Sequence, residues 1–96
     1  MVKHMIIWKL KEGLENPAEK KQEIKVALEG LVGKIDGLLE MKILIDGMEC
    51  SSGDLMMDST FESAEALAAY QTHPDHVAIA GGLVRPAVEQ RLSFDF

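Results

Sequence analysis

The sequence has one cysteine, no long apolar segment and an N-terminus without the apolar core of a signal peptide. The single cysteine, Cys50, excludes an internal disulfide and agrees with a reducing compartment. No apolar run approaches the length that a membrane span requires. We therefore expect a cytoplasmic protein with no membrane partner.

Basic residues are also scarce. Ten lysines and arginines stand against sixteen acidic residues, which gives a net charge of −6. A negatively charged chain is repelled by a phosphate backbone, so we expect no nucleic-acid partner. An apolar share of 47% in 96 residues is typical of one small globular domain, which we place over residues 1–96.

Alternating apolar and polar residues predict four strands. The period of two runs over residues 2–10, 38–46, 54–62 and 87–95. In the second of these strands the alternation places Leu39, Met41 and Ile43 on one face. The segment between the second and third strands, residues 47–53, is a polar loop.

The remaining segments predict helices. Asn16-Pro17 is typical of a helix start, with Asn16 as the N-cap, and an apolar stripe to Ile35 predicts an end between Gly33 and Gly37. Ser63 is the expected N-cap of a helix that ends near Thr72. His73-Pro74 opens a further helix, weakened at Gly81-Gly82 and stopped by Pro86.

The order of these elements, β-α-β-β-α(α)-β, predicts an α+β fold. It is the ferredoxin-like split βαβ arrangement, a four-stranded antiparallel sheet with its helices on one face. The opposite face still carries Met5 and Ile7, and an apolar sheet face is rarely left to water. We expect two copies to pack sheet against sheet as a homodimer, a dimeric α/β barrel.

The three histidines indicate a candidate site. Two of them lie in the segment Tyr70-Gln71-Thr72-His73-Pro74-Asp75-His76, at a corner between two helices. The third, His4, alternates with Ile6 and Trp8 and so should face the helices. A buried imidazole needs a hydrogen-bonding partner, which Tyr70 or His76 could supply.

Four segments of this chain resemble the stress-responsive dimeric α/β-barrel (Dabb) family. They are the opening Val2-Lys3-His4-Met5-Ile6-Ile7, Thr60-Phe61-Glu62-Ser63, the Tyr70-to-Val77 segment and the closing Leu92-Ser93-Phe94-Asp95-Phe96. The resemblance covers essentially the whole chain. Within the family the histidine segment is similar to that of plant polyketide cyclases, which need no cofactor.

This resemblance implies roles for individual residues. Tyr70 and His76 match the acid/base pair of those cyclases, and His4 matches a pocket histidine of the first strand. A further pocket histidine at the start of the third strand has no counterpart, because this chain has Leu55 there. With five aromatic residues in all, the chain also has few of the large side chains that line the cyclase pocket.

Several functions remain open at this point. We expect a small-molecule-binding protein whose pocket is lined by His4, Trp8, Tyr70, His73 and His76. One alternative is a cofactor-independent cyclase or lyase, in which His76 accepts a proton beside a carbonyl and Tyr70 donates to the oxyanion. Another is a cofactor-free monooxygenase. His76 could instead simply join two helices through Tyr70.

A metal site is not expected. His73 and His76, with His4 as third ligand, would suit zinc or iron, but their spacing is not distinctive and no thiolate pair accompanies them. His73 is more simply explained as the N-cap of its helix.

Overall fold

The computed structural model describes residues 1–96 as one antiparallel sheet covered on one face by helices. The elements are β1 (Val2–Leu10), α1 (Pro17–Glu29), β2 (Leu38–Leu44), β3 (Leu55–Phe61), α2 (Ala64–Thr72), α3 (Pro74–Ile79), a π-helical turn (Ala80–Val84), α4 (Arg85–Ala87) and β4 (Val88–Asp95). The strand order is β2-β3-β1-β4. The predicted ferredoxin-like fold is confirmed.

Helix α1 begins as predicted but differs at its cap and its end. Pro17 occupies the first turn and Asn16 is the N-cap residue, as predicted, but Asn16 adopts a left-handed backbone with φ of 50° and its side chain forms no capping hydrogen bond. The helix ends at Glu29, before Gly33. Leu31 and Ile35 lie in the turns that follow and are still buried, so the apolar stripe predicted burial correctly and helix length incorrectly.

Strand β2 contains an irregularity that changes which side chains face the core. The pairing with β3 shifts between Leu38 and Glu40, and a bulge of this kind adds one residue to one strand. Leu38 is therefore 4% exposed and Leu39 is 48% exposed. The prediction that Leu39 shares the face of Met41 and Ile43 was wrong.

The segment after α3 is a continuous helical path with one wide turn. The amide of Arg85 donates to the carbonyl of Ala80, five residues earlier, as in a π helix. Pro86 was expected to stop the helix, but it lies at the start of α4. The ring nitrogen of Pro86 has no hydrogen to donate, so the regular pattern of helical backbone hydrogen bonds is interrupted at this residue.

The edge strand β4 has an unusual polarity. The register pairs Trp8 with Arg91 and His4 with Asp95 on the helix side of the sheet, so these two charged side chains of β4 point towards the helices. Leu92 and Phe94 point to the opposite side, which we call the open face. Exposed apolar residues on the open face are Ile7, Leu44, Leu92 and Phe94.

No helix of this fold is both long enough and apolar enough to span a membrane.

Candidate functional site

A cavity of about 460 Å³ lies between the sheet and the helices. Its floor comes from β1, and α3, the π-helical turn and α4 form the opposite wall. Its apolar lining consists of Ile6, Trp8, Leu28, Met57, Ala80, Val84 and Val88. Its polar lining consists of His4, Gln71, His76, Arg85, Glu89 and Arg91. We call this the helix-side cavity, and it is open along β4 because the polar side chains of that edge strand are exposed.

His4 is held in the floor of this cavity by Asp95. The His4 ring is almost fully buried, and its Nδ1 forms a short hydrogen bond with the Asp95 carboxylate on the neighbouring strand. A carboxylate at Nδ1 keeps the proton on that nitrogen, so in the neutral ring Nε2 is the free acceptor.

The expectation that Tyr70 or His76 would be the partner of His4 was wrong. Sequence reasoning missed Asp95, which lies 91 residues from His4. The available signal was the alternation of two antiparallel strands: if the end of β4 pairs with the start of β1, Asp95 falls opposite His4 on the same face.

His76 lies in the opposite wall, on the first turns of α3. Its ring packs on that of Tyr70, with centroids 4.1 Å apart, and its Nδ1 is buried without a protein hydrogen-bonding partner. Burial lowers the pKa of His76. Hydrogen bonds to the backbone at Gln71 and Tyr70 oppose this shift, whereas electrostatic interactions with His4 and Arg91 add to it. The ring is therefore neutral near pH 7 and able to accept a proton.

Tyr70 lies behind His76 and is not part of the cavity lining. Its side chain is 1% exposed and also contacts Phe61, with ring centroids 4.9 Å apart, and His4, at 6.4 Å. Its hydroxyl has no protein hydrogen-bonding partner, and burial raises its pKa. The structure thus brings Tyr70, His76 and His4 into one cluster, in which only the two imidazoles line the helix-side cavity.

Of the two remaining predicted site residues, Trp8 lines the cavity and His73 does not. Trp8 is buried and lines the cavity. His73 does not line it: its Nδ1 accepts a hydrogen bond of 3.1 Å from the amide of Asp75, as the N-cap of α3. Leu55 is buried in the core opposite Trp8.

The histidines do not form a metal centre in this structure. No group of three or more histidine, cysteine, aspartate or glutamate side chains is arranged to hold a metal ion. His4 and His73 each have one ring nitrogen engaged by a protein group, the first by Asp95 and the second by a backbone amide.

A second and larger concavity, of about 830 Å³, lies against the open face. It is lined by parts of β1, β2, β3 and β4 and by the loop between β2 and β3, which includes Gly53. A Cβ at Gly53 would lie 2.3 Å from a methyl carbon of Ile7, so only glycine allows this loop to pass so close to the strand.

Solved structures share this architecture. A dimeric protein of ferredoxin-like fold from Bacteroides fragilis is 26% identical, with a TM-score of 0.89 and coverage of 99% of this chain and 93% of that one. The solution structure of the Arabidopsis thaliana protein At3g17210 is 30% identical, with a TM-score of 0.80 and coverage of 99% and 85%. A hydroxynitrile lyase from Passiflora edulis, at 18% identity and a TM-score of 0.81 with coverage of 99% and 90%, shares the fold.

No curated protein has a matching sequence. The family comparison is decisive, since residues 2–96 match the stress responsive A/B barrel domain. The protein is therefore a member of the stress responsive A/B barrel (Dabb) family.

Proposed function

We propose that this protein binds a small organic molecule in the helix-side cavity. The observation that carries the proposal is the lining itself, in which two imidazoles from opposite walls face a largely apolar space. A volume of about 460 Å³ lies in the range of cavities that take small ligands. A few polar groups on an apolar wall are also what such sites use to orient their ligands.

Two unpaired polar atoms support the same proposal. The Tyr70 hydroxyl and the His76 Nδ1 are buried without protein partners. Each such atom costs about 1–3 kcal/mol relative to a satisfied one. Groups of this kind in a native fold call for an explanation, and a functional role is one of the few that account for them.

The binding test compares two histidine variants that differ only in position. Cyclohexanone serves as a neutral carbonyl probe, followed through the amide and indole signals of ¹⁵N-labelled protein. We expect saturable shifts at Trp8 that weaken in His76→Gln and persist in His73→Gln, because only His76 lines the cavity. Shifts that do not saturate, or that both variants lose equally, would contradict the proposal.

A catalytic role is the second candidate, favoured by the state of His76. A ring held neutral by burial, with an unpaired nitrogen, suits a general base that removes a proton beside a carbonyl. The structurally similar Passiflora edulis protein is a lyase, which shows that the fold can carry catalysis. Exchange of the α-protons of cyclohexanone in D₂O should be accelerated by the wild type and by His73→Gln, and not by His76→Gln.

We further propose that two copies assemble through their open faces. The apolar side chains of Leu92 and Phe94 on β4 point away from the protein's own helices, which is explained if a partner sheet covers them. The similar Bacteroides fragilis protein is described as dimeric. Cytoplasmic localisation stays a prediction of the sequence.

A further inference from the structure

The only two arginines of this chain line the same cavity. Arg85 and Arg91 are the only basic residues besides histidine after Lys42, and both contribute to the helix-side cavity. Every ion pair in the structure uses a lysine or a histidine, and neither guanidinium takes part in one. No side-chain hydrogen bond of the protein engages them either.

Backbone elements place both arginines at the opening of the cavity. Arg91 stands on β4 opposite Trp8, so its side chain emerges on the helix side of the sheet. Arg85 begins α4, directly after the π-helical turn. A Cβ on Gly81 would lie 3.6 Å from a guanidinium nitrogen of Arg85, so that side chain lies along the glycine backbone of the turn.

The positive charge of Arg91 acts electrostatically on His76 and Tyr70. This charge contributes to lowering the pKa of His76, although burial is the larger cause. It also opposes the rise that burial causes in the pKa of Tyr70. A negative group placed near Arg91 would therefore lie close to the histidine that we propose as the ligand contact.

Carboxylates do not neutralise this opening. Glu89 is the one acidic residue in the cavity lining, and it lies beyond 4.0 Å from either guanidinium, because no ion pair joins them. Asp95 is engaged by His4. Two positive charges facing one negative charge leave an opening that suits a monoanion better than a dianion.

We propose that the ligand of the helix-side cavity is an amphipathic monocarboxylate, whose carboxylate is bound by Arg85 and Arg91 and whose apolar body lies against Trp8 and Val84. This inference rests on the proposed function, since it names the ligand class of the same cavity. Guanidinium groups are weakly hydrated and match the two oxygens of a carboxylate with parallel N–H donors. The two imidazoles then contact the polar substituents of the body.

The test uses two probes with the same alkyl chain, hexanoate and 1-hexanol, and the fluorescence of Trp8, the single tryptophan. We expect hexanoate to bind at least about tenfold more tightly than 1-hexanol, as expected for charge-assisted hydrogen bonds. Arg85→Gln and Arg91→Gln should each weaken hexanoate binding roughly tenfold and leave 1-hexanol unaffected. Glu89→Gln should strengthen hexanoate binding.

Lys34→Gln is the matched control, because it removes one positive charge from an exposed side chain outside the cavity and outside every ion pair. Its hexanoate affinity should equal that of the wild type. Equal binding of the two probes, or an equal loss in Lys34→Gln, would overturn the carboxylate inference and leave the cavity as a binding site. If none of the three probes, hexanoate, 1-hexanol and cyclohexanone, shows saturable binding, the proposed function itself is overturned.

Discussion

Removing the hydroxyl of Tyr70 should make this protein more stable. Tyr70→Phe keeps the ring and its contacts with Phe61 and His76 and deletes one oxygen that is buried without a protein partner. An unsatisfied buried hydroxyl costs about 1–3 kcal/mol, so the free energy of unfolding should rise by about 1 kcal/mol or more. For a domain of this size, each 1 kcal/mol corresponds to roughly 4–8 °C in Tm.

Ser59→Ala is the matched control for this prediction, since it also removes one buried hydroxyl. The Ser59 hydroxyl donates a hydrogen bond of 2.6 Å to the carbonyl of His4, and its loss should lower the free energy of unfolding by about 1 kcal/mol. Urea unfolding followed by circular dichroism, at one fixed protein concentration because an oligomer's stability depends on it, measures both changes.

The two variants should therefore differ in the sign of their effect. A Tyr70→Phe protein that is as destabilised as Ser59→Ala would show that the hydroxyl has a partner, and the argument from an unsatisfied group would be wrong. A Tyr70→Phe protein that is more stable but binds its ligand differently would show the trade-off expected where a site carries a structural cost.

Three further predictions concern pH, an ion pair and assembly. Burial lowers the pKa of His76 below its ordinary 6.5, so between the two pKa values the unfolded chain binds more protons than the folded one. The stability that the neutral ring contributes is therefore present above about pH 6.5 and is lost as the pH falls towards the folded pKa. Melts between pH 7.5 and 5 should show a smaller decline for His76→Gln than for the wild type, and equal declines would contradict this. Glu29→Ala should lower the free energy of unfolding in urea by roughly 1 kcal/mol, because the Glu29 carboxylate accepts a hydrogen bond of 2.9 Å from the amide of Ile43 in β2. Glu23→Ala breaks only an exposed ion pair of 3.4 Å with Lys20 and should leave the free energy of unfolding almost unchanged. Leu92→Lys on the open face should yield monomers in sedimentation. Val26→Lys should not, although Val26 on α1 is as exposed as Leu92, at 62%. Identical behaviour of the two variants would argue against the sheet-to-sheet dimer.

Local patterns in the sequence predicted the elements and their order. Strands show a period of two and helices a period of about 3.6, because side chains alternate across a strand and wind around a helix. The starts of helices were equally readable at Pro17, Ser63 and His73, since a fixed φ or a side-chain acceptor acts within a few residues. From these signals the ferredoxin-like arrangement and the presence of His4 on the helix side both follow.

Tertiary structure decided the features that depend on register. One bulge places Leu38 in the core instead of Leu39, because the extra residue reverses the alternation of side chains before the bulge while Met41 and Ile43 beyond it keep their predicted face. The pairing of His4 with Asp95 joins the two ends of the chain through the alignment of β1 and β4.

Local sequence patterns likewise could not predict which residues line the helix-side cavity. Adjacency in sequence suggested that Tyr70, His73 and His76 act together, but the turn between α2 and α3 directs His73 to a backbone amide and places Tyr70 behind His76. Arg85 and Arg91 reach the same opening from a helix and a strand. Periodicity determines which face a residue occupies, whereas the neighbours that it meets there depend on how distant elements pack.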